Sequence, residues 1–465
     1  MAIVNLKSPV NLDRSKPPKS GKPKDMKFPG FFETKTSNGI TVLVIEDKKL
    51  PLVTARFVFK SGAFEDYFHK ADKAGLSSVT SELLTKGTQS RSAFEIADEV
   101  DYLGASIGSG CNYDASFVSS YSLKKYFNNI FDIISDVILN PSFKEEEIER
   151  VKLLRLNSLL AMSDDGDYLA EKLFNSKVYG DYPYSIPIDG ESDSISELSG
   201  NDIREHYNKI FYPENLIVAF VGDITPDEAL LKLNENFSDW KNPQKRKFEI
   251  PETPSLKPPK VYLIEKKGAV QSSIKAGHIG IKRSNPDYIP VSVMNTLLGG
   301  FFTSRINKNL REVNGFTYGA RSVFHCCKHS GDFSVMTEVK TEITPDTLDE
   351  ILKELNDIKN KNVSVEELRD VKNYISGNFP MQLETPNEIA SKAIGLKLYE
   401  LDDDYYSTYL QKVNQLTRDD IRRAAELYLH PENLIISIAG DVKALKSSLT
   451  KFGETEITGE IINQK

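Results

Sequence analysis

Apolar residues alternate with polar ones early in the chain and then change to helical spacing. Residues 31–36 and 40–45 flank Ser37-Asn38-Gly39, a tripeptide typical of a hairpin turn, and residues 52–59 predict a further strand. Beyond them, one run has apolar positions at intervals of three and four, which indicates an amphipathic helix. Those positions are Phe127, Ile130, Phe131, Ile134 and Ile138. The first part of the chain is therefore predicted to combine strands and helices.

Polar motifs mark where further elements begin. Ser92 and Thr225 each stand three residues before a glutamate, the capping-box pattern that opens a helix. A long helix is predicted over residues 144–162, after a proline. Residues 216–221 are all apolar and end at a Gly-Asp pair, which predicts a buried strand.

The chain also repeats itself. Pro-Glu-Asn-Leu-Ile occurs at 213–217 and at 431–435, and each copy leads to Gly-Asp, at 222 and 440. Both 431 minus 213 and 440 minus 222 give an offset of 218 residues. The residues Glu146, Glu147, Val151 and Lys152 recur at an offset of 220, and Gly104-Ala105 recurs at 215. Three matches in one order at nearly one offset indicate two homologous halves.

Each half is predicted to be an α+β unit of roughly 200 residues, a mostly antiparallel sheet with helices packed on one face. The two halves are expected to form a clam-shell around a cavity, a favoured position for ligand sites. Proline-rich residues 242–260 predict a linker, so the halves are assigned to 29–241 and 261–465. The Lys-, Pro- and Ser-rich residues 1–28 are expected to be a disordered leader.

Composition narrows the classes of function. The 465 residues carry a net charge of −8 with both signs interspersed, which argues against a nucleic-acid binder. No apolar run reaches the roughly 18 residues of a membrane span. Three cysteines make no disulfide framework. A soluble protein is expected, cytoplasmic or periplasmic.

The stretch 297–320 contains two chemically capable side chains, Arg311 and Tyr318. Apolar spacing predicts a helix over 303–313 that stops at Asn314-Gly315. Arg311 would then lie in the last helical turn and Tyr318 just beyond a tight turn. A permanent cation and a neutral hydroxyl donor suit the binding of a carbonyl oxygen or its developing oxyanion. Alternatively, Arg311 pairs with a surface carboxylate such as Glu312, and Tyr318 fills core.

Residues 75–88 read G-L-S-S-V-T-S-E-L-L-T-K-G-T. Together with the repeat, this segment resembles the insulinase/pitrilysin-like zinc metallopeptidases, of which mitochondrial processing peptidase is the best-known two-subunit form. The resemblance covers nearly the whole chain after the leader. In catalytic members the segment contains the inverted zinc motif H-x-x-E-H on a helix, and a glutamate on a later helix is the third ligand.

The resemblance implies that the zinc motif is degenerate in this chain. Ser78 stands at the first histidine, Ser81 at the general base, Glu82 at the second histidine and Leu156 at the third ligand. Zinc needs nitrogen, sulfur or carboxylate ligands that converge in a tetrahedron with one open position. Two hydroxyls, a leucine and one carboxylate do not provide that set, so no zinc is expected in this chain and hydrolysis by this route is excluded.

The second part of the family's site does match. Members carry L-R-E-x-x-G-x-x-Y-G in the C-terminal half, and here residues 310–319 read LREVNGFTYG. In the family this Arg and Tyr bind substrate near the scissile carbonyl, so the resemblance assigns that role to Arg311 and Tyr318. It implies the metal-free subunit of a heterodimeric, two-subunit bacterial-type zinc peptidase, unable to hydrolyse peptides alone. Its partner would be a homologous subunit with zinc and an intact H-x-x-E-H motif, and its substrates unfolded peptides.

Other functions stay open at this point. The chain could be a purely structural or scaffold subunit of a larger complex, or a stand-alone peptide-binding protein. His325, Cys327 and His329 would share one face of an extended strand, a possible three-ligand metal site. Free cysteines and surface histidines are the simpler interpretation.

Overall fold

The computed structural model describes residues 27–69, 73–241 and 248–460, and within them the strands form two six-stranded sheets. The strands of the first sheet are β1 Phe32–Lys35, β2 Thr41–Glu46, β3 Leu52–Phe59, β4 Ser106–Cys111, β5 Ser116–Leu123 and β6 Leu216–Gly222. The strands of the second are β7 Lys260–Glu265, β8 Gln271–Ile279, β9 Ala320–Cys326, β10 Gly331–Lys340, β11 Ile435–Gly440 and β12 Glu454–Glu460.

Helices surround both sheets. Those of the N-terminal half are α1 Leu76–Leu83, α2 Ala93–Tyr102, α3 Phe127–Leu139, α4 Glu145–Met162, α5 Gly166–Tyr179, α6 Ser192–Glu197, α7 Gly200–Ile210 and α8 Pro226–Phe237. Those of the C-terminal half are α9 Tyr288–Asn295, α10 Arg305–Asn307, α11 Thr344–Asn360, α12 Val365–Met381, α13 Pro386–Leu398, α14 Tyr405–Gln415, α15 Arg418–Tyr428 and α16 Val442–Leu445. Two π-helical segments extend α9 and α10, at Thr296–Gly300 and Lys308–Val313.

The two sheets share one arrangement of strands. Their orders are β1-β2-β6-β3-β5-β4 and β12-β7-β11-β8-β10-β9, so the inner strands correspond one to one. Most neighbouring strands are antiparallel; β2 with β6, β7 with β11 and β7 with β12 are the parallel pairs. The predicted α+β architecture of two homologous halves is confirmed.

Strand β6 shows why its sequence is continuously apolar. Leu216, Val218 and Phe220 pack with the helices of their own half, whereas Ile217 and Ala219 face the opposite side and join the core of the C-terminal half. A strand buried on both faces cannot alternate with polar residues.

The second face of each sheet is covered by a helix from the other half. Helix α5 leaves the N-terminal half and packs on β8 and β11, and α13 leaves the C-terminal half and packs on β3 and β6. The helices that remain in each half pack on one face of its sheet, as predicted. The reciprocal exchange of α5 and α13 joins the halves into one body.

Local sequence signals are confirmed where the structure describes them. Gly39 has φ of 95° in the turn between β1 and β2, a conformation that glycine adopts without strain. Ser92 and Thr225 each form a complete capping box, at the starts of α2 and α8.

Some sequence predictions concern residues that lie partly outside the described ranges. Residues 1–26 of the predicted leader and residues 242–247 of the predicted linker lie outside the described residues, and 248–259 have no regular secondary structure. The domain boundaries stay a prediction. Among the described residues, no helix combines the length and apolarity needed to cross a membrane.

Candidate functional site

The degenerate motif lies on α1, whose start is held by a buried carboxylate. Asp66 accepts hydrogen bonds from the backbone N–H of Gly75 at 3.1 Å and of Ser77 at 2.9 Å. Gly75 has φ of 88°, and a Cβ there would lie 2.9 Å from Gly190 Cα. The loop around Gly190 therefore rests directly against the start of α1.

The four degenerate positions do not provide a metal site. Ser81 is fully buried, and its hydroxyl has no hydrogen-bond partner among the described residues. Leu156 packs against the core of the N-terminal half. Ser78 and Glu82 both face Arg155 of α4, and the Arg155 Nη2 atom lies 2.9 Å from Glu82 Oε2 and 3.3 Å from Ser78 Oγ.

The guanidinium of Arg155 thus lies between α1 and α4, the two helices that carry the motif positions. The other Arg155 nitrogen, Nη1, donates to Asp189 in the loop before Gly190. Zinc does not fit this donor set, because its single carboxylate already binds a fixed cation. No group of three or more His, Cys, Asp or Glu within the described ranges is arranged to hold a metal ion.

Sequence reasoning missed Arg155. The motif frame directs attention to Leu156, but the preceding residue on the helix is the one whose side chain reaches α1. Two features of the sequence could have identified it. Arg155 is a basic residue next to Leu156, which stands at the third ligand position, and Glu82 on α1 is a carboxylate with which a basic residue can pair.

Arg311 and Tyr318 lie where the sequence placed their elements. The helix that starts at Arg305 runs to Val313 and ends at Asn314-Gly315, where Gly315 has φ of 66°. The carbon of the Arg311 guanidinium lies 4.5 Å from the centroid of the Phe302 ring. Tyr318 is 96% exposed, so the alternative in which it fills core is wrong.

Tyr318 lines a cavity between the two halves. The cavity has a volume of about 640 Å³, and its walls include Phe302 and Arg321 from the C-terminal half and Asp167 from α5. Arg311 does not line it but contacts Phe302, which does. Within the described residues, Arg311 has no ion pair with Glu312 or another carboxylate. Its contact with Phe302 places it beside the cavity.

A second cavity of about 670 Å³ adjoins the first and shares Glu171, Lys275 and Met336 with it. The Lys275 Nζ atom lies 3.1 Å from Glu171 Oε1, an ion pair between a strand of the C-terminal half and α5. Asp189, the partner of Arg155, lines this second cavity. Together the two cavities run from the Tyr318 region to Asp189, whose carboxylate binds Arg155.

Comparison with known proteins places this architecture in a family. Residues 41–191 match the model of insulinase (peptidase family M16), and residues 197–375 match the model of the peptidase M16 inactive domain. The chain belongs to the insulinase family, M16.

Some related sequences are named as non-peptidase homologs and others as zinc proteases. The chain is 24% identical over 409 residues to the non-peptidase homolog YmxG of Helicobacter pylori, covering 87% of this chain and 92% of that protein. It is 22% identical over 353 residues to the uncharacterized zinc protease YmxG of Bacillus subtilis, covering 74% and 85%.

Solved structures share the fold. The crystal structure of a peptidase M16 inactive domain from Pseudomonas fluorescens gives a TM-score of 0.83 at 24% identity, covering 88% of this chain and 98% of that one. A protease from Helicobacter pylori gives 0.81 at 18% identity, covering 88% and 99%. The match to the inactive-domain model over residues 197–375, together with the degenerate motif, identifies the chain as an inactive M16-family protein.

The His325 region does not form the metal site considered from sequence. His325 Nδ1 lies 3.5 Å from Asp332 Oδ1, and hydrogen bonding to that carboxylate raises the pKa of His325. His329 turns away and packs on Phe64, with ring centroids 4.7 Å apart, and burial lowers its pKa to about 4. Burial raises the pKa of the Cys326 thiol to about 12, so it is protonated at neutral pH. His325, Cys326 and Asp332 are part of the wall of the second cavity.

Proposed function

We propose that this chain is the metal-free subunit of a two-chain zinc peptidase, and that it supplies Arg311 and Tyr318 to the active site of its partner. The observation that carries the proposal is the position of Tyr318, which is 96% exposed at the rim of the cavity between the halves. A tyrosine held there contributes nothing to the core. Its hydroxyl is available to a group outside this chain.

The chemistry of the pair supports the same role. Arg311 is a permanent cation at the end of a helix, and Tyr318 follows it beyond the Gly315 turn. A cation and a hydroxyl donor can bind the carbonyl oxygen of a peptide and stabilise the negative charge that develops on it. Because serines stand at the first ligand and general-base positions of the motif, and no metal-holding group is present in the described ranges, cleavage would require the metal-bound water and the base of the partner. We therefore expect no peptide hydrolysis by this chain alone.

Exposed apolar residues surround this segment. Phe302, Val313 and Tyr318 are exposed, and so is Val270, which lines a groove together with Tyr318. A soluble chain rarely leaves such a cluster uncovered unless it binds a partner.

The N-terminal half presents an equivalent surface on α2, the helix before its own edge strand. Phe94 is 78% exposed and Tyr102 88% exposed. A homologous chain, itself built of two halves, would cover both surfaces at once. This favours a related subunit as the partner.

The edge strands indicate where an unfolded peptide would bind. At β9 the backbone is engaged by side-chain amides: Asn295 Nδ2 donates to the Ser322 carbonyl at 3.1 Å, and the Ala320 N–H donates to Asn307 Oδ1 at 3.0 Å. Strand β4 pairs only with β5 among the described strands, and a Cβ at Gly108 would meet nothing within 4 Å. Strand addition to the free edge of β4 is the mode that this difference favours.

The test is a reconstituted complex. The chain is purified from its native cell, a co-purifying subunit with an intact H-x-x-E-H motif is identified, and peptide cleavage by the mixture is measured. Arg311→Ala should lower turnover about 100- to 1000-fold, the usual cost of removing a preorganised oxyanion donor. Tyr318→Phe should also slow turnover, while both variants still form the complex. The control is Arg369→Ala, an exposed arginine on α12 whose polar contacts among the described residues are confined to its neighbour Asp370.

The same experiment separates the alternatives. Pairing with undiminished turnover in Arg311→Ala would identify a structural or scaffold subunit. Self-association alone, with peptide binding and no zinc-bearing partner, would identify a stand-alone peptide-binding protein.

A further inference from the structure

Three separate elements meet at the side chain of Arg155. Its fork contacts Ser78 and Glu82 on α1 with one nitrogen and Asp189 in the 187–190 loop with the other, while the residue itself belongs to α4. The side chain is 16% exposed, so most of it is shielded from water. In the zinc-bearing proteins that this chain resembles, the same two helices carry the metal ligands.

The loop that provides Asp189 is closely packed and cannot easily move away. The Gly190 N–H donates to the Pro187 carbonyl at 3.0 Å, which closes a turn around Asp189. A Cβ at Gly190 would lie 2.7 Å from the Ala74 carbonyl oxygen, so the loop touches the chain just before α1. Asp189 is therefore held beside α1 by backbone packing as well as by Arg155.

We infer that Arg155 replaces the metal as the cation that ties α1, α4 and the 187–190 loop together, which fixes this wall of the cavity without any metal. A guanidinium suits the task because its charge is permanent and its planar fork donates to two carboxylates at once. A metal ion bound by Glu82 would have to displace this cation or lie beside it. Two cations bound to the same carboxylate repel each other.

The charges around Arg155 are unbalanced. One guanidinium faces two carboxylates, Glu82 and Asp189, and both approach it within ion-pair distance. Removal of the guanidinium would leave two negative groups and the Ser78 hydroxyl converging on the space it vacated. Carboxylate and hydroxyl oxygens in that arrangement are ligands for a hard divalent cation such as Mn²⁺. The inference thus predicts that Arg155→Ala both loosens the fold and creates a weak metal site.

The first measurement is the thermal midpoint of the full chain. Arg155→Ala should lower Tm by roughly 2–5 °C, because it breaks the contacts among three elements and leaves two carboxylates facing each other. The matched control is Arg150→Ala on the same helix, whose guanidinium pairs with Glu147 one turn away and has no polar contact with a second element in the described part of the chain. Arg155→Lys, which keeps the charge but not the fork, should recover only part of the loss, and it also serves if Arg155→Ala does not fold.

The second measurement adds Mn²⁺ alone, without peptide. Millimolar Mn²⁺ should raise the Tm of Arg155→Ala, since a ligand that binds the folded state stabilises it. It should not raise the Tm of the wild type or of Arg155→Ala combined with Glu82→Gln.

Either of two results would overturn the inference. One is a Tm for Arg155→Ala no lower than that for Arg150→Ala. The other is equal stabilisation by Mn²⁺ in the wild type and the variant. Neither depends on the existence of a partner subunit, so this test is separate from that of the proposed function.

Discussion

The guanidinium of Arg311 rests over the ring of Phe302, with 4.5 Å between its central carbon and the ring centroid. The aromatic ring is itself exposed and lines the cavity that Tyr318 also lines. A cation above an aromatic face is attracted by the negative charge of the ring's π-system. Phe302 therefore orients Arg311 even though no carboxylate pairs with it in the described residues.

Removal of this ring should weaken the substrate-binding role that we propose for Arg311 without abolishing it. At an exposed site a cation–π contact contributes about 0.5–1 kcal/mol, so Phe302→Ala should lower turnover of the reconstituted complex about 2- to 5-fold. Phe302→Tyr, which keeps the ring, should leave turnover unchanged. Phe32→Ala, at an exposed phenylalanine of β1 outside both proposed partner surfaces, is the control. A loss in Phe302→Ala as large as that in Arg311→Ala would contradict this division of roles.

Asn307 should be needed to hold the segment that carries Arg311 and Tyr318. Its Nδ2 donates to the Phe302 carbonyl at 2.6 Å, and its Oδ1 accepts from the Ala320 N–H at 3.0 Å, so it joins the two ends of the segment. Loss of both hydrogen bonds of this buried side chain predicts that Asn307→Ala lowers the free energy of unfolding by about 1–3 kcal/mol, measured by urea denaturation.

A comparison on a nearby helix tests whether the effect is specific. Asn356→Ala removes an exposed amide that donates to a carbonyl of its own helix, and it should change stability by less than about 0.5 kcal/mol. Equal effects of Asn307→Ala and Asn356→Ala would show that the bridge between Phe302 and Ala320 adds nothing to the fold.

The buried carboxyl group of Glu65 should make stability fall as pH rises. Burial raises the pKa of Glu65 to about 8, and burial also raises the pKa of its neighbour Asp66 to about 7. Between about pH 4.5 and 8 the folded chain therefore keeps a proton on Glu65 that the unfolded chain has released. The stabilisation is complete below that window and is lost as pH rises through it.

Glu65→Gln isolates this contribution. The variant should lose stability less steeply between pH 5 and 8 than the wild type, by up to about 1.4 kcal/mol per pH unit for one proton. Urea denaturation at several pH values measures the slope. Glu95→Gln should leave the slope unchanged, because hydrogen bonding to Ser92 lowers the pKa of Glu95 and places its effect below this window. Parallel curves for wild type and Glu65→Gln would refute the prediction.

Restoration of the motif should recover zinc binding only after Arg155 is removed. Ser78→His, Ser81→Glu, Glu82→His and Leu156→Glu together rebuild the ligand set and the base on helices that still pack together. An intact Arg155 should lower zinc affinity at least about tenfold, since a cation about 4 Å away repels the metal strongly even with partial solvent screening. Zinc content after dialysis, with and without Arg155→Ala, measures the difference. Stoichiometric zinc in the rebuilt chain with Arg155 intact would contradict the prediction.

The repeat predicted the architecture because its matching residues occupy the same turns. Pro213–Asn215 and Pro431–Asn433 each form a 3-10 turn immediately before β6 and β11, so equal residues mark equal places in the two sheets. The repeat did not predict the pairing of the outermost strands. Strand β1 is antiparallel to β2, whereas β12 is parallel to β7 and comes from the other end of the chain.

The exchange of α5 and α13 could not be predicted from sequence. Ala170, Phe174 and Val178 have helical spacing and show that α5 is buried, but an apolar stripe does not specify which sheet it covers. The site shows the same limit. The helix end before Tyr318 follows from local signals, whereas the contacts of Arg311 with Phe302 and of Arg155 with Glu82 depend on tertiary packing.

The reciprocal placement of α5 and α13 has a mechanical consequence. If the halves moved apart, α5 and α13 would have to separate from the sheets on which they pack. Both covered sheet faces would then be exposed to water. A hinge in the middle of this polypeptide is thus strongly disfavoured, and the chain should behave as a stiff unit. In the two-chain peptidase that we propose, access to the interior would then come from movement of one whole subunit against the other, so the interface between the chains would govern how fast a peptide enters.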